Sequence, residues 1–227
     1  MPNPLFPITH YPLPRLKMPH IVLLGDSIFD NAAYVGENPD VISQLRTKLP
    51  QNWNASLNAI DGDKVDDVYA QLGNLPKDAT HLVVSVGGND ALSCIGILNE
   101  KVASSAEVFI KLANLREDFE DGYRKLLRSI LSLGIPTAIC TIYNPNYPES
   151  TYQRIGVAAL AIFNDVIIRQ AFQFGIPLID LRLTCNEASD YANPIEPSCS
   201  GGEKIVNAIV NAIFEHNFDK HYTQVFY

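Results

Sequence analysis

The feature that most restricts the fold of this chain is an alternation. Five short runs dominated by Val, Ile, Leu and Ala recur at residues 20–25 (HIVLLG), 54–60 (NASLNAI), 81–87 (HLVVSVG), 135–143 (IPTAICTIY) and 176–181 (IPLIDL). Longer amphipathic stretches separate them, at 39–49, 64–73, 104–133, 151–174 and 201–216. Short and mostly continuous apolar runs suit strands buried on both faces of a parallel sheet. The stretch 104–133 sets Phe109, Leu112, Leu115, Phe119, Tyr123, Leu126, Leu127 and Ile130 near a 3.6-residue period, as a helix with one buried face requires. Gly134-Ile135-Pro136 and Gly175-Ile176-Pro177 end two helices alike, with Gly at the cap and Pro blocking continuation. Parallel strands joined through helices need crossover connections. The expectation is an α/β fold, a three-layer α/β/α sandwich around a five-stranded parallel sheet.

Composition narrows the partners. The 227 residues carry 17 Lys+Arg against 25 Asp+Glu, a net charge of −8, and 47% hydrophobic residues. A chain of this length buries a sizeable core as one domain, expected over 19–227, preceded by a proline-rich arm over 1–18. The acidic balance argues against a nucleic-acid partner, which clustered Lys and Arg would grip. The arm has no apolar signal region, and no uninterrupted apolar run approaches the roughly 18 residues of a membrane helix. The expected protein is therefore soluble and cytoplasmic, with no membrane partner. Cys94, Cys140, Cys185 and Cys199 show no C-x-x-C spacing and no nearby histidines, so free thiols and no metal are expected. The first strand lacks G-x-G-x-x-G and no P-loop occurs, so no nucleotide cofactor is expected.

In such sheets ligands bind beyond the carboxyl ends of the strands. The first strand ends in Gly25-Asp26-Ser27. A serine at a strand-to-helix junction is exposed, and its backbone N–H points outward from the first helical turn, as a nucleophile elbow needs. The same tripeptide also reads as a simple helix cap. The third strand ends in Gly87-Gly88-Asn89-Asp90, where paired glycines allow close backbone approach and Asn89 offers a donor that never ionises. That too reads as a plain turn. The second strand leads to Asp61-Gly62-Asp63, with the Gly62 N–H at the same rim.

In this order, the three loops resemble the blocks of the SGNH, or GDSL, hydrolase superfamily, over about residues 19–215. The resemblance implies a flavodoxin-like SGNH hydrolase fold and a serine esterase or acylhydrolase acting on a small ester, with Ser27 as nucleophile. It also implies an oxyanion hole from the Ser27 N–H, the Gly62 N–H and the Asn89 side chain. The family's last block, Asp-x-x-His, is matched at Asp190 and Pro194, but Asn193 stands in the histidine position. A carboxamide cannot accept the serine proton as imidazole does.

The five histidines offer no replacement. His20 and His81 open strands at the far end of the sheet, His216 ends a helix, His221 lies in the tail and His10 on the arm. Three readings stay open. Asp190 or Glu196, its pKa raised by burial, takes the proton. Lys64, desolvated beside Gly62, does so instead. Or the chain is a weak or inactive relative that binds a small acylated or sugar-like ligand. Asn193 also reads as a side chain that merely orients its loop. If that loop holds the family position, Asn193→His should raise activity. Asp26, Asp90, Tyr143 and Tyr191 are the expected substrate contacts, with Leu92–Leu98 and Tyr143–Tyr147 as pocket walls. The oligomeric state stays open.

Overall fold

The computed structural model describes residues 18–227, so the expected arm, apart from Met18, lies outside the described residues, as does His10. The chain opens with β1 (His20–Gly25), α1 (Ala32–Val35), α2 (Val41–Lys48) and β2 (Asn54–Leu57). Then come α3 (Val68–Gly73), β3 (His81–Ser85), α4 (Gly88–Ser93) and, after a 3-10 turn at Ile95–Asn99, α5 (Ser105–Leu131). β4 (Thr137–Cys140), α6 (Ser150–Phe174), β5 (Leu178–Ile179) and α7 (Leu181–Thr184) follow. The chain ends with the antiparallel hairpin β6 (Tyr191–Asn193) and β7 (Glu196–Pro197), then α8 (Cys199–Glu215) and β8 (Val225–Phe226).

The main sheet is parallel, in the order β2-β1-β3-β4-β5-β8. It has six strands where five were expected. The tail returns along β5, with the Leu178 N–H donating to Gln224 O (2.9 Å) and the Asp180 N–H to Phe226 O (2.8 Å). A two-residue strand carries no local pattern, and its pairing partner defines it.

β1 is buried throughout. Its side chains alternate: Ile21 and Leu23 pack with α2 and α8, whereas Val22 and Leu24 pack with α3, α5 and α6. That alternation is the three-layer sandwich seen from one strand. The chain runs outward from β1 to β2 on one side and from β3 to β4 and β5 on the other. β1 and β3 therefore flank the point where the strand order reverses, where α/β sheets bind ligands.

Two helices are more apolar than their burial needs. In α5 the stripe is buried from Phe119 to Ile130, but Leu112 and Leu115 are only half-buried and Phe109 is 71% exposed. By length and composition α6 could pass for a membrane-spanning helix, although only a third of its most apolar stretch is buried. It is anchored to the sheet through Phe163, Val166, Ile167 and Ala171 in its second half.

Candidate active site

Ser27 owes its position to Gly25. The Gly25 backbone has φ +128°, and a Cβ there would lie 1.7 Å from Ser85 O, so only glycine lets β1 pass this close to the end of β3. The Asp26 N–H then donates to Ser85 O (3.1 Å). The Phe29 and Asp30 N–H groups both donate to Asp26 O, and the Ile28 N–H to Asp26 Oδ1 (3.2 Å). These bonds close a tight turn with Ser27 near its apex. They make a single helical turn that is not continued, and the next helix begins only at Ala32. Gln71, on the core face of α3, clamps the turn from below. Its Oε1 accepts from the Gly25 N–H (2.8 Å), and its Nε2 donates to Gly25 O (2.7 Å) and Asp63 Oδ2 (2.7 Å).

A cavity of about 120 Å³ opens over Ser27, with Asp26, Asn89 and Glu196 as polar lining and mainly apolar walls from α4, the Ile142–Tyr147 loop and α6. Glu196 is 6% exposed and lines the same cavity as Ser27. Glu196 Oε2 is buried without a partner among the described residues. Burial pushes the Glu196 pKa up to about 7; the nearby Ser27 hydroxyl opposes this and the Asp61 charge adds to it. Burial likewise pushes Asp26 up to about 8, opposed by the Ile28 amide and reinforced by the Glu196 and Asp90 charges. The strand that carries Glu196 is fixed on both sides. The Tyr143 hydroxyl donates to Ile195 O (2.5 Å), and Asn31 Nδ2 to Pro197 O (3.3 Å). Asn31 is fully buried, and its Oδ1 accepts from the Val41 N–H (2.9 Å), which ties β7 to the start of α2.

The signature of the GDSL-like lipase/acylhydrolase family matches residues 23–198, spanning the Ser27, Asn89 and Glu196 loops. The chain belongs to this family. It is an ester-bond hydrolase by that membership. No curated protein matches it in sequence. Solved structures share the fold at low identity. An extracellular lipase from Streptomyces rimosus is 16% identical at TM-score 0.63, over 86% of this chain and 99% of that one. A lipase from a goat rumen metagenome is 18% identical at TM-score 0.67, over 86% and 97%. A catalytic mutant of an acetylxylan esterase from Geobacillus stearothermophilus is 16% identical at TM-score 0.61, over 88% and 95%.

The other family-block residues fall into two groups. Asn89 lines the cavity and donates from Nδ2 to Asp63 O (3.0 Å), which leaves a second amide N–H. Gly62 sits exposed at the tip of the turn closed by the Asp63 N–H on Ile60 O, with φ +87°. Tyr143 lines the cavity, and Asp26 lies at its floor. Asp90, expected as a substrate contact, is outside the lining. Its carboxylate accepts from the Val65 N–H (3.1 Å) and ties the third loop to the second. Tyr191 is outside as well. Its hydroxyl donates to Asn144 O (2.7 Å) and Cys185 O (2.9 Å), and its ring backs Tyr143 edge-on at 5.3 Å.

Of the two acids considered as base, the fold brings Glu196 to Ser27 and turns Asp190 elsewhere. Asp190 Oδ2 accepts from the Asn186 and Glu187 N–H groups (3.0 and 2.9 Å) and from Lys204 Nζ (2.8 Å). Asn193 is exposed at the hairpin turn, where its Oδ1 accepts from the Ile195 (2.9 Å) and Glu196 (3.0 Å) N–H groups. It orients the loop, and the residue it orients is Glu196. Lys64 is exposed and outside the lining. His20 bonds Ser56 (3.0 Å), His81 stacks on Trp53 (5.4 Å), His216 packs among Phe218, Tyr222 and Phe226, and His221 is exposed. None of the four lines the cavity. Gln71 and Asn31 escaped the sequence reading. The one signal for Gln71 was a polar residue on the apolar face of its helix.

Proposed function

We propose that the chain hydrolyses a small ester with a Ser27–Glu196 pair in place of the usual serine and imidazole. The observation that carries this reading is a buried glutamate, Glu196, lining the same largely apolar cavity as Ser27. A carboxylate with pKa about 7 is matched to proton transfer near neutral pH, which an ordinary glutamate is not. Ser27 Oγ attacks the ester carbonyl carbon as Glu196 takes the hydroxyl proton. The tetrahedral oxyanion is held by the Ser27 N–H, the spare Asn89 amide N–H and the Gly62 N–H. When the intermediate collapses, the carbon–alkoxide bond breaks and Glu196 returns its proton to the departing alcohol. Water then attacks the acyl-serine, again losing its proton to Glu196, and the carboxylic acid leaves with Ser27 restored.

The test is turnover of p-nitrophenyl acetate together with labelling by a fluorophosphonate probe, on the wild type, Ser27→Ala and Glu196→Gln. Expected are a probe adduct on the Ser27 peptide, none in Ser27→Ala, and a rate loss of roughly 10²–10⁴ in Glu196→Gln. Equal turnover by Ser27→Ala would overturn the reading. Among the described residues no histidine lines the cavity, which favours one alternative, a relative that binds a small acylated or sugar-like ligand without turnover. A folded wild type that takes no label and hydrolyses nothing would establish it.

A further inference from the structure

Behind the Ser27 cavity lies a second chamber of about 70 Å³, enclosed by α4, the Ile95–Asn99 turn, α5 and α6. The two share three wall residues, Ala91, Ile95 and Ala159. Two of these are alanines, so little side chain stands between the spaces. A site for one water-sized group needs roughly 10–15 Å³, so each space holds several carbon atoms. The chamber is almost wholly apolar, with Leu112, Leu115 and Ile162 among its walls. Its outer lip is apolar as well: Ile95 is 49% exposed, Leu98 45% and Ile155 37%.

This chamber explains the surplus apolar surface of α5 and α6. The stripe on α5 continues past the core through Leu115 and Leu112 to Phe109, on one helix face at three-residue spacing. The first half of α6 adds Ile155 and Ala159 opposite. Neither half-stripe packs against the sheet core. Both meet at a space that shares a wall with the Ser27 cavity.

We propose that this second chamber receives the distal carbons of a medium-chain acyl group whose carbonyl sits at Ser27. The proposal rests on the hydrolase reading above and adds the acyl class. An acetyl group would leave the chamber unused. A buried methylene favours binding by roughly fourfold, so octanoyl should exceed acetyl by at least about 30-fold in kcat/KM even with partial burial.

Two experiments separate this proposal from the reading beneath it. The first is the octanoate-to-acetate ratio of kcat/KM for p-nitrophenyl esters, in wild type and in Leu112→Trp, whose indole fills the chamber; a ratio cancels any loss of folded enzyme. The ratio should fall at least tenfold in Leu112→Trp, and in Ile155→Glu, which charges the lip. A wild type that turns over acetate faster than octanoate overturns the chamber and leaves Ser27 as nucleophile. The second is calorimetric binding of decanoate to Ser27→Ala, which needs no turnover. Binding that weakens at least tenfold with added Leu112→Trp supports the chamber even in a protein that hydrolyses nothing, and absence of binding overturns it. Either dioctanoyl phosphatidylcholine or methyl octanoate as substrate supports it too, the faster one telling a lipid source from a soluble ester.

Discussion

At the scale of single residues, the proposed mechanism gives Glu196 the work of the missing imidazole, so its protonation should set the pH dependence. The base must be anionic to accept a proton, and its pKa lies at about 7. kcat/KM should therefore fall about tenfold per pH unit below that value, a decline absent from any residual activity of Glu196→Gln. A pH–rate profile of both proteins checks it. Asn193→His, which the family pattern suggested as a gain, should instead lower activity. Asn193 Oδ1 receives the Ile195 and Glu196 amides, and imidazole would give up that turn and face solvent. Gly25→Ala should not yield folded protein, because its Cβ would overlap Ser85 O at a φ of +128°. Expression and circular dichroism decide that point. The loops that carry Ser27, Gly62 and Asn89 were legible in the sequence because each follows an apolar run. The sequence favoured Asp190 over Glu196 for the proton, whereas Glu196 is the one that lines the cavity. Both are acids in one loop, and only the hairpin register aims one at Ser27 and the other at Lys204.

At the scale of elements, the site is an assembly of strand ends held by a few buried polar side chains. Gln71 joins α3 to the end of β1 and to the second loop, and Asn31 joins β7 to α2. Gln71→Leu keeps the volume but strands the Gly25 N–H in a buried place, while Gly25 O keeps its bond from the Ile60 N–H. That should cost roughly 1–3 kcal/mol of stability, measurable by urea unfolding. Leucine fits the helix face as well as glutamine, so an unchanged midpoint would mean the clamp carries no energy. Sequence periodicity identified the central strands and the long helices, since burial on both sheet faces leaves continuous apolar runs. It missed β8, whose two residues exist as a strand only beside Leu178 and Ile179. It also extended the helix over 64–73 too far back, because the Lys64 N–H bonds Asp67 Oδ2 and the chain turns before α3 begins.

At the scale of the whole molecule, the pH that activates the site also strains the fold. Asp26 and Glu196 both have folded pKa values above their ordinary 3.8 and 4.5, at about 8 and about 7. Between about pH 4 and 8 the folded state thus binds more protons than the unfolded one, and stability falls as pH rises. Below that window the two acids are neutral in both states and their burial is tolerated. Above it both are charged in an apolar cavity. Asp180 works in the opposite sense. Burial would raise its pKa, but bonds from Arg182 and Thr141 outweigh that and lower it, so its contribution disappears only on acidification below the usual carboxylate range. The melting temperature should accordingly peak in mild acid and decline towards pH 8, while activity climbs over the same interval. Asp26→Asn/Glu196→Gln removes both buried charges. It should melt roughly 5–10 °C above the wild type at pH 8 and close to it at pH 5, while losing turnover. A double variant that kept the wild-type slope of melting temperature against pH would mean that water reaches both carboxylates, and a Glu196 so solvated would return to an ordinary pKa and lose its match to the Ser27 proton.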